Sequence, residues 1–248
     1  MAFDLPRDEI LPVKAIDVVL DPAPHPFEIE HADAIEANWQ IGHAANPALF
    51  DGRMVLLSDL RYEAQKLSGR CHEVRFATML HWRKNRVAAN VEHCFAHAAL
   101  VSKDNALVAI RMGKHTANAG KIYFAAGSFE RQDFIDGRAD PVGNMRRELR
   151  EETGLDLDTF LSEAGYHFLS RNRMTVMVRR YWMDENADDI AERIRDHVLS
   201  DPDPEIDGPV VIRSADDLPP GVLPHMEAII AWHFGQRGGP STLSATRA

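Results

Sequence analysis

The stretch on which the reading turns is RRELREETGL, residues 146–155. It sets Glu148, Glu151 and Glu152 beside Arg146, Arg147 and Arg150. Residues three and four apart on a helix share a face, so Glu148 neighbours both Glu151 and Glu152. Three like charges on one face repel, each pair costing a few tenths of a kcal/mol. A divalent cation would reverse the sign, because hard ions such as Mg²⁺ and Mn²⁺ prefer carboxylate oxygens. Arg147 lies four residues before Glu151 and can brace that carboxylate.

The flanks predict the element that carries the cluster. Asp140 suits an N-cap, Pro141 the first helical position and Gly154 the left-handed residue just past the end. Val142, Met145 and Leu149 recur at helical spacing and predict the buried stripe, with the carboxylates off it. Upstream, KIYFAAG (121–127) reads as a strand ending in Gly127, where the backbone can approach a ligand closely. The loop SFERQDFIDGRA joins the strand to the helix.

This strand–glycine–loop–acidic helix resembles the Nudix box: Gly, five residues, Glu, seven residues, then Arg-Glu-apolar-x-Glu-Glu-x-Gly-apolar. The second half matches in full from Arg147 to Leu155. The first half departs from it. Gly127 stands 20 residues before Arg147 where the pattern has 14, so the loop carries six extra residues. Ala139, not Glu, stands eight before Arg147, with Asp140 next to it, and Glu130 matches a glutamate three after the glycine.

The resemblance implies an α/β fold, the Nudix α/β/α sandwich with a mixed sheet, over residues 89–236. Residues 1–88 read as an amino-terminal α/β extension that shapes the pocket or a dimer contact, and 237–248 as a flexible tail. The part AIEANW…NPALFDGRMVLL is faintly similar to Nudix proteins related to UDP-sugar diphosphatases. The implied metal ligands are Glu148, Glu151, Glu152 and the carbonyl of Ala126, with Glu151, Glu152 and Arg147 in the catalytic set. Gly127, Glu130, Lys121 and Asn118 are the substrate-binding candidates. A glutamate of the box or of a later loop takes the proton from water; Glu205 and Asp207 are candidates, though a solvated acidic loop is the more ordinary reading of both.

The implied activity is metal-dependent cleavage, with Mg²⁺ or Mn²⁺, of the diphosphate in a nucleoside diphosphate derivative of the nucleotide-sugar or ADP-ribose type. The alternatives are nucleoside triphosphate pyrophosphohydrolysis and a non-catalytic nucleotide-sensing module. The partner is a small nucleotide, and the resemblance is compatible with a homodimer. Composition sets outer bounds. The 248-residue chain is 45% apolar and 27% charged, as in ordinary globular proteins. A net charge of −10 argues against a broad nucleic-acid footprint. No apolar run is long enough to span a membrane, and the acidic, proline-broken start does not read as a signal peptide, so a cytoplasmic protein is expected. Cys71 and Cys94 form no metal or redox motif and read as reduced, buried thiols.

Along the rest of the chain, strands are expected at 11–20, in RMVLLSDLRYEA and RCHEVRFATM around a turn near Ser68-Gly69, in a hairpin through SKDN, and in GYHFLSRNRM, TVMVRRYWM and PVVIRS. Helices are expected at 30–45, in FATMLHWRKN, at 185–199 and in PHMEAIIAWHFG. Trp39 reads as a core anchor. His93, His97 and His115 read as structural or surface residues. Phe129 and Phe134 either line the pocket or pack on the surface.

Overall fold

The computed structural model describes residues 3–85, 90–236 and 246–247. In chain order the main elements are β1 (Phe3–Asp4), β2 (Ile10–Val13), β3 (Ala15–Asp21), α1 (Pro26–Glu30), α2 (Ala32–Ala45), β4 (Arg53–Glu63), β5 (Lys66–Arg75), α3 (Phe76–Asn85), β6 (His93–Val101), β7 (Leu107–Met112) and β8 (Ile122–Tyr123). They continue with β9 (Phe134–Ile135), β10 (Arg138–Ala139), α4 (Pro141–Thr153), β11 (Leu161–Ser162), β12 (Tyr166–Arg171), β13 (Met174–Trp182), α5 (Ala187–Ser200), β14 (Ile206–Ile212), α6 (Pro224–Gly235) and β15 (Thr246–Arg247). The expected α/β class is the one observed. Among the described residues no helix is long and apolar enough to cross a membrane.

Contacts divide the chain into two units. One holds the chain up to Phe95 together with Ser128–Pro141 and Phe168–Val176. The other holds Ala96–Gly127, Val142–His167 and the chain from Met177 onward. The boundary expected at 88/89 falls in residues 86–89, outside the described residues, as do 237–245 and 248 of the expected tail.

The first unit is built on a six-stranded sheet, ordered β1-β4-β5-β3-β10-β9. β4 and β5 are antiparallel, β3 is parallel to β5, and β10 is antiparallel to β3. The β4–β5 turn is at Ala64-Gln65, both with positive φ, not at Ser68-Gly69. Gly69 instead sits inside β5, opposite Leu60 and next to a bulge in β4, where a Cβ would lie 2.4 Å from the Asp59 carbonyl. Phe27, Met54, Leu56, Val74, Met79, Trp82 and Val91 form one core cluster, and Ile35, Trp39 and Ala77 another. Trp39 is thus a core anchor, as expected. Cys71 and Cys94 are free and buried, and burial pushes the Cys71 thiol up to about 12.

The long loop of the box belongs to this unit. It forms a β9–β10 hairpin whose Asp136-Gly137 turn has positive φ at both positions. Arg138 pairs with Val19 of β3, the Leu20 N–H reaches the Gly137 carbonyl at 2.9 Å, and the Val55 N–H reaches the Phe129 carbonyl at 2.9 Å. Phe129 is buried and meets Phe134 edge to face.

In the second unit the sheet runs β14-β7-β6-β13-β11, with β8 on β7. β14 and β7 are antiparallel. The Met183 N–H donates to the Val101 carbonyl, joining the far ends of β13 and β6, while their starts join through the His93 N–H and Arg173 carbonyl, so these two run parallel. The sheet is therefore mixed. Arg180 lies over the Trp232 ring of α6 at 4.5 Å, whereas the Tyr181 hydroxyl points at Met145 of α4. Successive strand residues face opposite ways, so α6 and α4 cover opposite faces and the unit is an α/β/α sandwich. α5 packs on β14 and β7 and reaches α4 through His197.

Buried ionisable groups hold α6 to the sheet. Arg180 and Glu163 form a buried ion pair. Burial opposes the Glu163 charge, but His167 and Arg180 outweigh it and hold the carboxyl below its usual value. His97 stacks on His225, their Nε2 atoms 3.2 Å apart. Burial, then His225, holds His97 well below 6.5. Burial, then Arg180, holds His233 at about 4.

Two outcomes are expected from this architecture. A chain started near residue 90 lacks β3, β4 and β5 and leaves the β9–β10 hairpin without its partner strand. It should be recovered mainly as aggregate on gel filtration; a monodisperse product with the full protein's circular dichroism per residue would contradict this. The second concerns acid. A histidine held below its unfolded pKa binds fewer protons folded than unfolded, so its stability is complete above about pH 6.5 and is lost as pH falls toward the folded value. The melting temperature should drop between about pH 7 and about pH 5, and less steeply in His233→Leu than in wild type, by scanning calorimetry.

Candidate active site

α4 runs from Pro141 to Thr153, and Gly154 beyond it has φ +70°, as the flanking residues predict. The burial stripe corrects the sequence expectation. Pro141, Asn144, Met145, Glu148, Leu149, Glu152 and Thr153 are the buried positions, while Val142 is only half-buried. Glu148 and Glu152 therefore lie on the packed face, at helical spacing with Met145 and Leu149, and Glu151 alone lies off it. Buried glutamates are rare without a partner or a task.

Each carboxylate has a distinct setting. Arg147 Nη1 lies 2.7 Å from Glu148 Oε1 and 3.2 Å from Glu151 Oε2. The Glu151 side chain is 60% exposed and that of Glu148 12%. Arg147 thus braces Glu151 as expected but holds Glu148 more closely. Glu152 Oε2 accepts the Ala126 N–H at 2.9 Å. Burial raises the Glu152 pKa well above its usual value, and the charges of Glu148 and then Glu205 raise it further, against the Ala126 hydrogen bond.

The segment facing the helix is less regular than expected. The strand ends at Tyr123, and 124–127 continue without ladder pairing. The Glu148 carboxylate lies against Gly127: a Cβ there would be 2.1 Å from Glu148 Oε1, so any larger residue would turn that carboxylate aside. Ala126, Gly127, Arg147, Glu148 and Glu152 are therefore brought together. The Ala126 atom engaged by the cluster is its N–H; the carbonyl was the one expected to act.

The remaining candidates sit apart from these contacts. Asn118 Nδ2 donates to the Tyr123 hydroxyl at 3.3 Å. The Lys121 side chain is exposed, and its N–H closes the loop on the Asn118 carbonyl at 3.0 Å. Glu130 belongs to the first unit, where its N–H meets Asp133 and its carboxylate receives Gln132. Glu205 is exposed but close enough to act on Glu152; Asp207 is exposed and is not among the groups that perturb it.

Sequence reasoning missed Tyr123 and His197. Tyr123 is buried; burial raises its phenol pKa, Asn118 opposes this, and Glu152, Glu205 and Glu148 add to the rise. His97 is buried against α6, where it meets His225, and His93 meets Ser128 Oγ at 3.0 Å.

No protein-family model matches the chain, and no curated protein matches it. Among solved structures, DR0079 from Deinococcus radiodurans is 14% identical over 65% of this chain and 83% of its own, with a TM-score of 0.35. A NUDIX hydrolase from Nitrosomonas europaea is 18% identical over 63% of this chain and 99% of its own, with a TM-score of 0.34. A MutT protein from Methanosarcina mazei Go1 is 19% identical over 36% of this chain and 61% of its own, with a TM-score of 0.26.

Gly127→Ala should turn the Glu148 carboxylate away from this backbone, at a cost in urea unfolding of no more than about 1 kcal/mol, since the displaced atoms end a flexible side chain. A loss of about 3 kcal/mol or more would mean that Glu148 cannot swing away from the backbone of residue 127.

Proposed function

We propose that the protein is a metal-dependent hydrolase of the Nudix type, which splits the diphosphate of a nucleoside diphosphate derivative into a nucleoside monophosphate and a phosphorylated product. The observation that carries this reading is the pair of buried carboxylates, Glu148 and Glu152, held on one helix face against the backbone of Ala126–Gly127.

The donor set fits Mg²⁺ or Mn²⁺. Glu152 is pushed toward its neutral form by burial and then by the charges of Glu148, Glu205 and Glu151, which a divalent cation would offset. Among the described residues no group of three or more His, Cys, Asp or Glu side chains stands ready to hold a metal ion. Mg²⁺ keeps several waters and takes one or two carboxylates together with substrate phosphate oxygens, so a pair of glutamates is enough for it. Glu148 and Glu152 would hold the ion, with Glu151 and the Ala126 carbonyl as further donors. When bound, the ion supplies charge neutralisation at the phosphate and a lowered pKa for bound water.

The chain's own groups do the rest. Arg147 fixes Glu148 and keeps Glu151 at hand. The Ala126 N–H orients one oxygen of Glu152. Glu205 is the candidate for the group that takes the proton from water, since its charge is felt at Glu152 and its side chain is exposed. The Tyr123 hydroxyl, receiving Asn118, keeps its own hydrogen to donate. A nucleotide sugar or an ADP-ribose type of compound is the substrate class proposed, with a nucleoside triphosphate as the alternative.

Two measurements test the reading. Nucleotide sugars and ADP-ribose are screened with Mg²⁺ or Mn²⁺, and the active one is turned over in ¹⁸O-water. Label should appear on a phosphate product; label on the sugar's anomeric carbon would exclude attack at phosphorus. Glu152→Gln should lose activity about 100-fold or more, the scale of damage to a metal site. Its melting temperature in metal-free buffer should equal or exceed that of wild type, because the amide removes a buried acid that lies beside three other carboxylates. Full activity of this variant at saturating Mg²⁺ would dismiss Glu152 from the site.

A further inference from the structure

The acidic helix ends against a histidine that lies 46 residues further along the chain. The last four carbonyls of a helix have no intrahelical partner. In α4, the Arg150 carbonyl takes the Gly154 N–H at 3.0 Å. The Glu151 carbonyl takes His197 Nε2 at 3.2 Å. A carbonyl only accepts, so Nε2 carries the proton. The rest of the imidazole lies over Gly154: a Cβ there would be 2.6 Å from His197 Nδ1 and 2.8 Å from its Cγ. Gly154 is therefore needed twice, once for φ +70° and once for the space the ring occupies.

His197 is itself well anchored. It stands in the last turn of α5, whose Ala187, Ile190, Ala191 and Ile194 are buried and which packs on β14 and β7. Its own carbonyl receives the Asp201 N–H at 3.0 Å and Ser200 Oγ at 2.8 Å. The ring thus ties the end of α4 to an element fixed on the sheet. The peptide it grips is the one joining Glu151 to Glu152.

We infer that His197 is a positioning residue, which clamps the final turn of α4 and so holds the Glu152 carboxylate in the geometry that binds the cation. This rests on the metal site proposed above. A loosened turn would let Glu152 leave its place beside the Ala126 N–H, so the variant's defect is one of metal affinity, not of rate once metal is bound.

The test compares His197→Leu, which fills the space without a donor, with His197→Gln, which returns an N–H donor at similar reach. Hydrogen–deuterium exchange of peptides covering 148–155 is followed without metal. Free Mn²⁺ is then titrated by electron paramagnetic resonance, and melting temperatures are taken for all three proteins. Exchange in His197→Leu should be about fivefold faster, and the Mn²⁺ concentration for half-saturation about fivefold higher, the scale of one net hydrogen bond. His197→Gln should bring both back toward wild type, although both variants remain folded. Unchanged exchange in His197→Leu overturns the clamp. Faster exchange with unchanged Mn²⁺ binding, or no recovery in His197→Gln, overturns the positioning role. A wild type that binds no Mn²⁺ defeats the metal site itself and the positioning role with it, while the exchange result separately decides the clamp.

Discussion

Two carboxylates on the packed face of one helix are the constraint around which the second unit is arranged. Removing an ion from water costs several kcal/mol unless charge or hydrogen bonds replace the lost solvation. Here the replacement is uneven. Glu148 has the Arg147 guanidinium at 2.7 Å, while Glu152 has one backbone N–H. Burial and three neighbouring carboxylates therefore press on Glu152 against that single hydrogen bond. A structure selected only for stability would place leucine or alanine at these positions, as it does at Leu149.

The surrounding elements can be understood as support for that concentration. The backbone comes close because residue 127 has no side chain, and Glu148 occupies the space a methyl group would fill. The opposite face of the sheet is held by α6 through Arg180, Glu163 and Trp232, so β13 is packed from both sides. Tyr181, adjacent to Arg180, then presents its hydroxyl to Met145 beneath the carboxylates. Packing on one face thus fixes the floor on which the acidic helix rests.

Local signals were legible where one short segment decided the outcome. The ends of α4 were marked by Asp140, Pro141 and Gly154, and the hairpin at SKDN has its positive-φ residue at Asn105. The helices at 32–45, 76–85, 187–200 and 224–235 also lie where their spacing placed them. Misreadings came where tertiary contact reassigned a local feature. Gly69 looked like a turn and is a close approach of two strands. Val142 looked like core, but the packed face is rotated to include Glu148 and Glu152, which no hydrophobicity pattern would assign to the interior. The Asp136-Gly137 pair was a hairpin signal inside a segment taken as loop. Tyr123 carried no marker, because its relevance comes from which carboxylates lie near it, and those are fixed only by the fold.

The hairpin inserted between Gly127 and α4 also bears on solubility. A strand with one unpaired side offers a row of free N–H and C=O groups to any other extended chain. β3 is seven residues long, and β10 and β9 now lie along part of its otherwise open side. The new outermost strand, β9, has only two residues and is followed at once by the Asp136-Gly137 turn. A terminal strand that short gives an incoming chain little ladder to copy. The hairpin between Gly127 and α4 thus shortens the adhesive margin of the amino-terminal sheet.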